Sequence, residues 1–190
     1  MQKFVVLIVF LGLLSLPLVQ PVYAADKYPD YPVRPAGEYA VTAEKGGLII
    51  GVEPVEDLKD QKTYFKMELT PEGFLPVFIV IQNGSSVDSF LLDKANIQSA
   101  GVSNKSTPDV GPSGAVALAP FGVIAWSRSL RAQQNFMKKA LASQTLSPGT
   151  SAHGFLYIPV PTKGPREKIH LQVPISKSGT SEAFVFNLFF

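Results

Sequence analysis

Residues 74–82 read FLPVFIVIQ, a run of β-branched and aromatic side chains with scarcely a polar atom among them. A strand that is apolar on both sides has to be buried on both faces. This segment therefore predicts the centre of a β structure. Asn83-Gly84 follows it, which is the strongest short-range hairpin signal. The rest of the chain is a series of short β-type runs between turn signals: 39–43, 48–52, 63–69, 89–92, 95–99, 116–118, 153–159, 168–175 and 183–190. In the last run Phe184, Phe186, Leu188 and Phe190 share one face. Gly and Pro together make up 31 of the 190 residues, enough for many turns. Short strands with frequent turns predict an antiparallel sandwich or barrel. The terminal Phe190 also suits an outer-membrane barrel, but the strands are too short for one.

One segment breaks the β pattern. At about 100° per residue, Val123, Trp126, Leu130, Met137 and Leu141 fall in one sector of a helix over about 120–142. Arg128, Arg131, Asn135, Lys138 and Lys139 fall in the adjacent sector, and Phe136 lies in neither. Ser147-Pro148-Gly149 is the stop signal. Residues 100–114 read as a long polar loop, of the kind that is mobile or functional.

The first 24 residues read as an export signal. Lys3 precedes an apolar run from Phe4 to Val19, and Val22-Tyr23-Ala24 suits cleavage after Ala24. The run is short for a bilayer span, and no later segment reaches spanning length. Residues 25–36, with Pro29, Pro32 and Pro35, read as an extended linker. The folded domain is then expected over 37–190, in the periplasm or secreted. With no Cys in the chain, disulfides, thiolate catalysis and lipidation of an N-terminal Cys are excluded. Two His and no Cys also speak against most transition-metal chemistry.

Charge is unevenly placed. Residues 25–109 carry a net −5 and residues 110–190 a net +6, with no acid between Asp109 and Glu167. The helix has no acidic partners of its own, so its basic face can meet an anionic lipid surface or an acidic envelope protein. Its bases can equally pair across the fold with Glu53, Glu56, Asp57 or Asp60. Residues 25–190 together carry only +1, which gives no indication of nucleic-acid binding.

Catalytic motifs are missing. Gly149-Thr150-Ser151-Ala152-His153 starts like a nucleophile elbow and then departs from it. His153 and His170 fall in strands expected to be neighbours, but two ligands do not close a metal site. The acidic loop with Glu53, Glu56, Asp57 and Asp60 lacks the glycine of a calcium loop. Asn83-Gly84-Ser85 and Asn104-Lys105-Ser106 match glycosylation sequons, relevant only to a eukaryotic source. No catalytic residue, metal or cofactor is therefore assigned.

Three pieces carry a resemblance: LPVFIVIQN with its polar turn (75–86), TLSPG with GFLYIPVP (145–161), and a final strand of alternating Phe. Together they are similar to exported bacterial immunoglobulin-like β-sandwich proteins of unknown function. The resemblance covers about 45–190 and implies architecture and a periplasmic setting, with no catalytic residues. The expectation is an all-β, immunoglobulin-like antiparallel β-sandwich with one inserted amphipathic helix at about 120–142. Its expected role is a non-enzymatic binding or assembly module of the envelope. The contact surface would be Arg128, Arg131, Lys138 and Lys139, with Phe136 as an apolar anchor. The alternatives are a hydrolase of a wall or lipid substrate using carboxylates, Ser151 or His153, and a small-ligand carrier using the space between the sheets.

Overall fold

The computed structural model describes residues 28–100, 130–163 and 168–190. Within them nine strands form two antiparallel sheets. The first sheet holds β1 (Val41–Lys45), β2 (Leu48–Pro54), β3 (Phe74–Asn83) and β7 (Ser151–Pro159), in that order. The second is built on β8 (His170–Lys177). One side of β8 pairs with β9 (Ala183–Phe189). The other side pairs with β4 (Phe90–Leu92) and β5 (Gln98–Ala100), which follow one another along it. β6 (Gln144–Leu146) lies beyond β4. Helix α1 (Leu58–Phe65) sits between β2 and β3, and α2 (Leu130–Lys139) precedes β6.

The sheets pack face to face over one core. Ile50, Leu75, Val77, Ile79, Ile81 and Leu156 from the first sheet meet Phe90, Leu92, Leu171, Val173, Phe186 and Leu188 from the second. A second core lies on the outer face of the first sheet. There Phe78, Val80, Phe155 and Tyr157 are covered by Phe65 of α1, Phe136 of α2, Leu69, Ala36 and Tyr39. β3 is thus buried on both faces, as its sequence requires, because it separates two cores. The alternating face of β9 also turns inward, with Phe186 and Leu188 buried and Phe184 and Phe190 packed against them.

Several expectations are corrected. Residues 63–69 are not a strand. Asp57 caps a helix there, its carboxylate accepting the Lys59 N–H at 2.6 Å. Gln61 and Phe65, one turn apart, form the buried side of that helix. Asn83-Gly84 is not a hairpin turn, since β3 pairs with β2 and β7 while β4 belongs to the other sheet. The tight hairpin is Gly46-Gly47 between β1 and β2, where φ of 61° and 81° suits a two-residue turn. His153 and His170 lie in different sheets and are not cross-strand neighbours. Residues 95–99 divide into a 3-10 turn (Lys94–Asn96) and β5. β6, unmarked in the sequence, is only three residues long.

The Pro-rich segment is not a free linker over residues 28–36. Tyr28 and Ala36 are buried, and a 3-10 turn, Ala36–Glu38, lies on β2. A side chain at Gly51 would place its Cβ 2.2 Å from the Ala36 carbonyl oxygen, so the close approach of this turn depends on that glycine. The predicted strand 116–118, residues 120–129 of the predicted helix and the loop residues 101–114 lie outside the described residues.

Candidate functional site

The outer face of the first sheet carries an open cleft of about 380 Å³. The extended segment at 30–33 forms one bank and the C-terminal end of α2 the other. Phe78, Gly154 and Phe155 form the floor, and Asp30, Val33, Lys138 and His153 stand at the rim. Tyr31 fixes the first bank. Its ring centroid lies 4.7 Å from that of Phe78, 5.2 Å from Phe155 and 4.8 Å from Tyr64. Its hydroxyl donates to Glu53 Oε2 at 3.1 Å, and Arg34 reaches the same oxygen at 2.8 Å. Burial, and then the neighbouring Glu53 carboxylate, push the Tyr31 phenol well above its usual range.

The second bank is fixed by close backbone packing. The chain leaving α2 runs against β7, with Ala140 bridged in parallel to Phe155 and the Leu141 N–H donating to the Phe155 carbonyl at 3.0 Å. A Cβ on Gly154 would lie 2.6 Å from the Leu141 backbone, so glycine is what lets the two chains touch. Phe136 is fully buried, stacked on Phe65 at 5.7 Å and edge-on to Tyr157 at 5.6 Å. The Tyr157 hydroxyl donates to the Phe136 carbonyl at 3.4 Å, and burial raises its phenol far above the usual range. Lys139 is also turned inward, 8% exposed. Its ammonium donates to the Pro29 carbonyl and to the Tyr64 carbonyl, and lies 5.7 Å from the rings of Tyr64 and Phe65. One cation thereby ties the N-terminal segment, α1 and α2 together beside the cleft.

This placement changes the expected contact surface. Phe136 cannot serve as an exposed anchor, and Lys139 does not present its ammonium outward. Met137, expected on the apolar side, is 61% exposed. The helix is rotated from the expected orientation because Phe136, Lys139 and Ala140, spaced three and four apart, face α1 and β7. Lys138 remains exposed, at the cleft rim. Arg131 belongs to α2 without a described side chain, and Arg128 lies outside the described residues.

The other candidates disperse. Asp57 is spent on capping α1, and Glu53 on Tyr31 and Arg34. Asn83 is fully buried and Asn104 lies outside the described residues. His170 stacks on Phe189 at 4.4 Å and bonds Asn187 at 2.9 Å, on the sheet opposite the cleft. Among the described residues no group of three or more His, Asp or Glu is gathered as metal ligands. The signal that marks the cleft in the sequence is the pair Tyr28 and Tyr31 inside a Pro-rich stretch, since a solvated spacer has no use for two large rings.

Compared with known proteins, the chain matches no family model, no curated protein and no solved structure.

Proposed function

We propose that the protein is a non-enzymatic binding module whose site is the cleft between residues 30–33 and the end of α2. Its ligand is a small anion with a flat apolar body. The observation that carries this reading is the cleft itself: an aromatic lining from Tyr31, Phe78 and Phe155, a polar rim with Lys138, His153 and Asp30, and a volume within the usual range for small-ligand sites. The partly buried ring of Tyr31, backed by Phe78 and Phe155, offers an apolar contact to a flat ring. Lys138 offers the charge, and Asp30 on the opposite bank restricts how the anion is oriented. A carrier's ligand would then lie outside the sandwich, since core side chains fill the space between the sheets. We also propose the periplasmic or secreted setting, with cleavage near Ala24. The immunoglobulin-like reading is supported by the chain's crossings between two antiparallel sheets after β3, after β6 and after β7.

The test is thermal unfolding with phenyl phosphate and 4-hydroxybenzoate, against neutral benzyl alcohol, at low and high salt. Ligand at about 100 times its Kd stabilises a fold by about 2.7 kcal/mol, a shift of several degrees for a small domain. The anions should stabilise the protein, salt should weaken the effect, and Lys138→Glu and His153→Ala should reduce it. An equal response in Lys138→Glu would overturn the site. Failure of both anions, with sedimentation on phosphatidylglycerol vesicles instead, would move the reading to a lipid surface.

A further inference from the structure

The two sheets differ in what stands on their outer faces. The first is roofed by α1, α2 and the chain before β1, which pack on Phe78, Val80, Phe155 and Tyr157. On the second, the inward residues of β8 and β9 fill the core, and their alternates face solvent. These outward residues run from His170 to Ser176 on β8 and from Phe189 to Ala183 on β9, and none is an acid, a lysine or an arginine. The solvated surface of a soluble protein ordinarily mixes charges of both signs. This face instead leaves Val185 44% and Phe189 61% exposed, and Leu91 of β4 continues it at 48%.

Three cross-strand pairs give the face its chemistry. His170 and Phe189 stack with ring centroids 4.4 Å apart and planes 7° apart. One side of the Phe189 ring rests on His170, so its exposed area lies on the other side: a flat apolar platform held from behind. In the next pair, Asn187 Oδ1 accepts from Gln172 Nε2 at 3.1 Å and lies 2.9 Å from His170 Nε2. That oxygen fixes the orientation of the amide. Both N–H groups of the Asn187 side chain and the side-chain oxygen of Gln172 then have no partner among the described residues. In the third pair, Pro174 and Val185 add an apolar step. Successive pairs stand about 7 Å apart, so ring platform, amide donors with an acceptor, and apolar step follow one another within about 14 Å.

We propose that this face binds a neutral polysaccharide, with Phe189 stacking on a sugar ring and Asn187 and Gln172 bonding its hydroxyls. The occupant follows from what the face offers and from what other occupants would leave unpaired. A hydrocarbon surface would bury the Asn187 N–H groups and the Gln172 oxygen without partners. A charged ligand would give up hydration and gain no opposite charge. A hexose ring has a flat C–H face that suits an aromatic platform, and hydroxyls around its rim that both donate and accept. Seated on Phe189, its rim reaches the amide pair next along the strands, and a following sugar meets Pro174 and Val185. The three features are strung along the strand direction, which suits a chain of sugars better than a single one. The inference goes beyond the cleft, which lies on the other sheet and selects for charge.

The test is calorimetric titration of the purified protein with the neutral hexamers of cellulose, laminarin, mannan and xylan, at low and high salt, with sedimentation velocity alongside. At least one hexamer is expected to bind in the millimolar range or tighter, without dependence on salt. Phe189→Ala and Asn187→Asp should each weaken that binding at least about tenfold, the second because it keeps the Oδ1 acceptor and removes both donors. Phe189→Tyr, which keeps the ring, should retain binding, and so should Lys138→Glu, which alters only the cleft. Thermal unfolding of each variant checks that the fold is intact. The proposal is overturned if no hexamer binds, if binding survives both Phe189→Ala and Asn187→Asp, or if Lys138→Glu abolishes it. A wild type that binds no sugar and sediments as a dimer, but as a monomer with Phe189→Ala, overturns it in favour of a second copy on this face.

Discussion

Asn83 is the residue whose replacement tests the architecture most directly, because its side chain holds the point where the chain crosses between sheets. It is fully buried. Its amide nitrogen faces three carbonyl oxygens, those of Asp88 at 2.8 Å, Leu146 at 3.2 Å and Ser147 at 3.0 Å. Its Oδ1 accepts the Ser85 N–H at 2.9 Å. An amide has two protons to give, so three acceptors share two donors, and the side chain makes the equivalent of three bonds. At about 1 kcal/mol each, with a further cost for acceptors left buried and unpaired, Asn83→Ala should lose about 3–4 kcal/mol. That is a large part of a typical domain's 5–15 kcal/mol, approximately. Asn83→Asp keeps the shape but puts an oxygen where the two donors were. The new carboxyl faces three carbonyls and is held neutral, with its pKa raised in the folded state. Its sign is therefore fixed: the variant is at its best below the unfolded pKa of about 3.9, and loses about 1.4 kcal/mol per pH unit above it until the native pKa is passed. Urea denaturation at pH 4 and pH 7 measures both effects. If Asn83→Asp matches the wild type at pH 7, or Asn83→Ala loses less than about 1 kcal/mol, the corner is not held as described.

Two further predictions concern the outer layer. Gly51→Ala pushes a methyl into the Ala36 carbonyl and should cost about 1–3 kcal/mol while making residues 28–38 more sensitive to protease. Gly37→Ala, with nothing near its Cβ, should be close to neutral, and thermal unfolding of the two variants beside the wild type measures the difference. Tyr157 and Tyr31 both have phenols raised by burial, so they favour the folded state only while protonated. Stability should hold below about pH 10 and fall above it, by about 1.4 kcal/mol per pH unit from Tyr157 and less from the half-buried Tyr31. Absorbance at 295 nm should show their ionisation only together with unfolding, and free titration in the native protein would contradict the packing.

What could be read from the sequence depended on whether a signal was local. β3 was legible because a strand with two apolar faces has one solution, and the alternation of β9 was legible because period 2 survives at the surface of a core. The run 63–69 misled because Tyr64 and Phe65 look like strand residues. The deciding information lay upstream, in the cap at Asp57 and the Gln61–Phe65 spacing. Asn83-Gly84 misled in the opposite way. Its residues suit a turn, but buried Asn83 bonds the Leu146 and Ser147 carbonyls at the end of β6, contacts remote in sequence. The orientation of α2 turns on the same distinction. Periodicity placed Met137 inward and Phe136 between faces, yet the aromatic surface of β7 selects Phe136. Lys139 follows because Pro29 and Tyr64 supply carbonyls that its ammonium can satisfy while buried. A lysine counted with the solvent-facing cations is then the tie that holds a Pro-rich segment to the end of α1. Lys139 is also one of the residues that line the cleft, which no reading of charge along the chain alone could show.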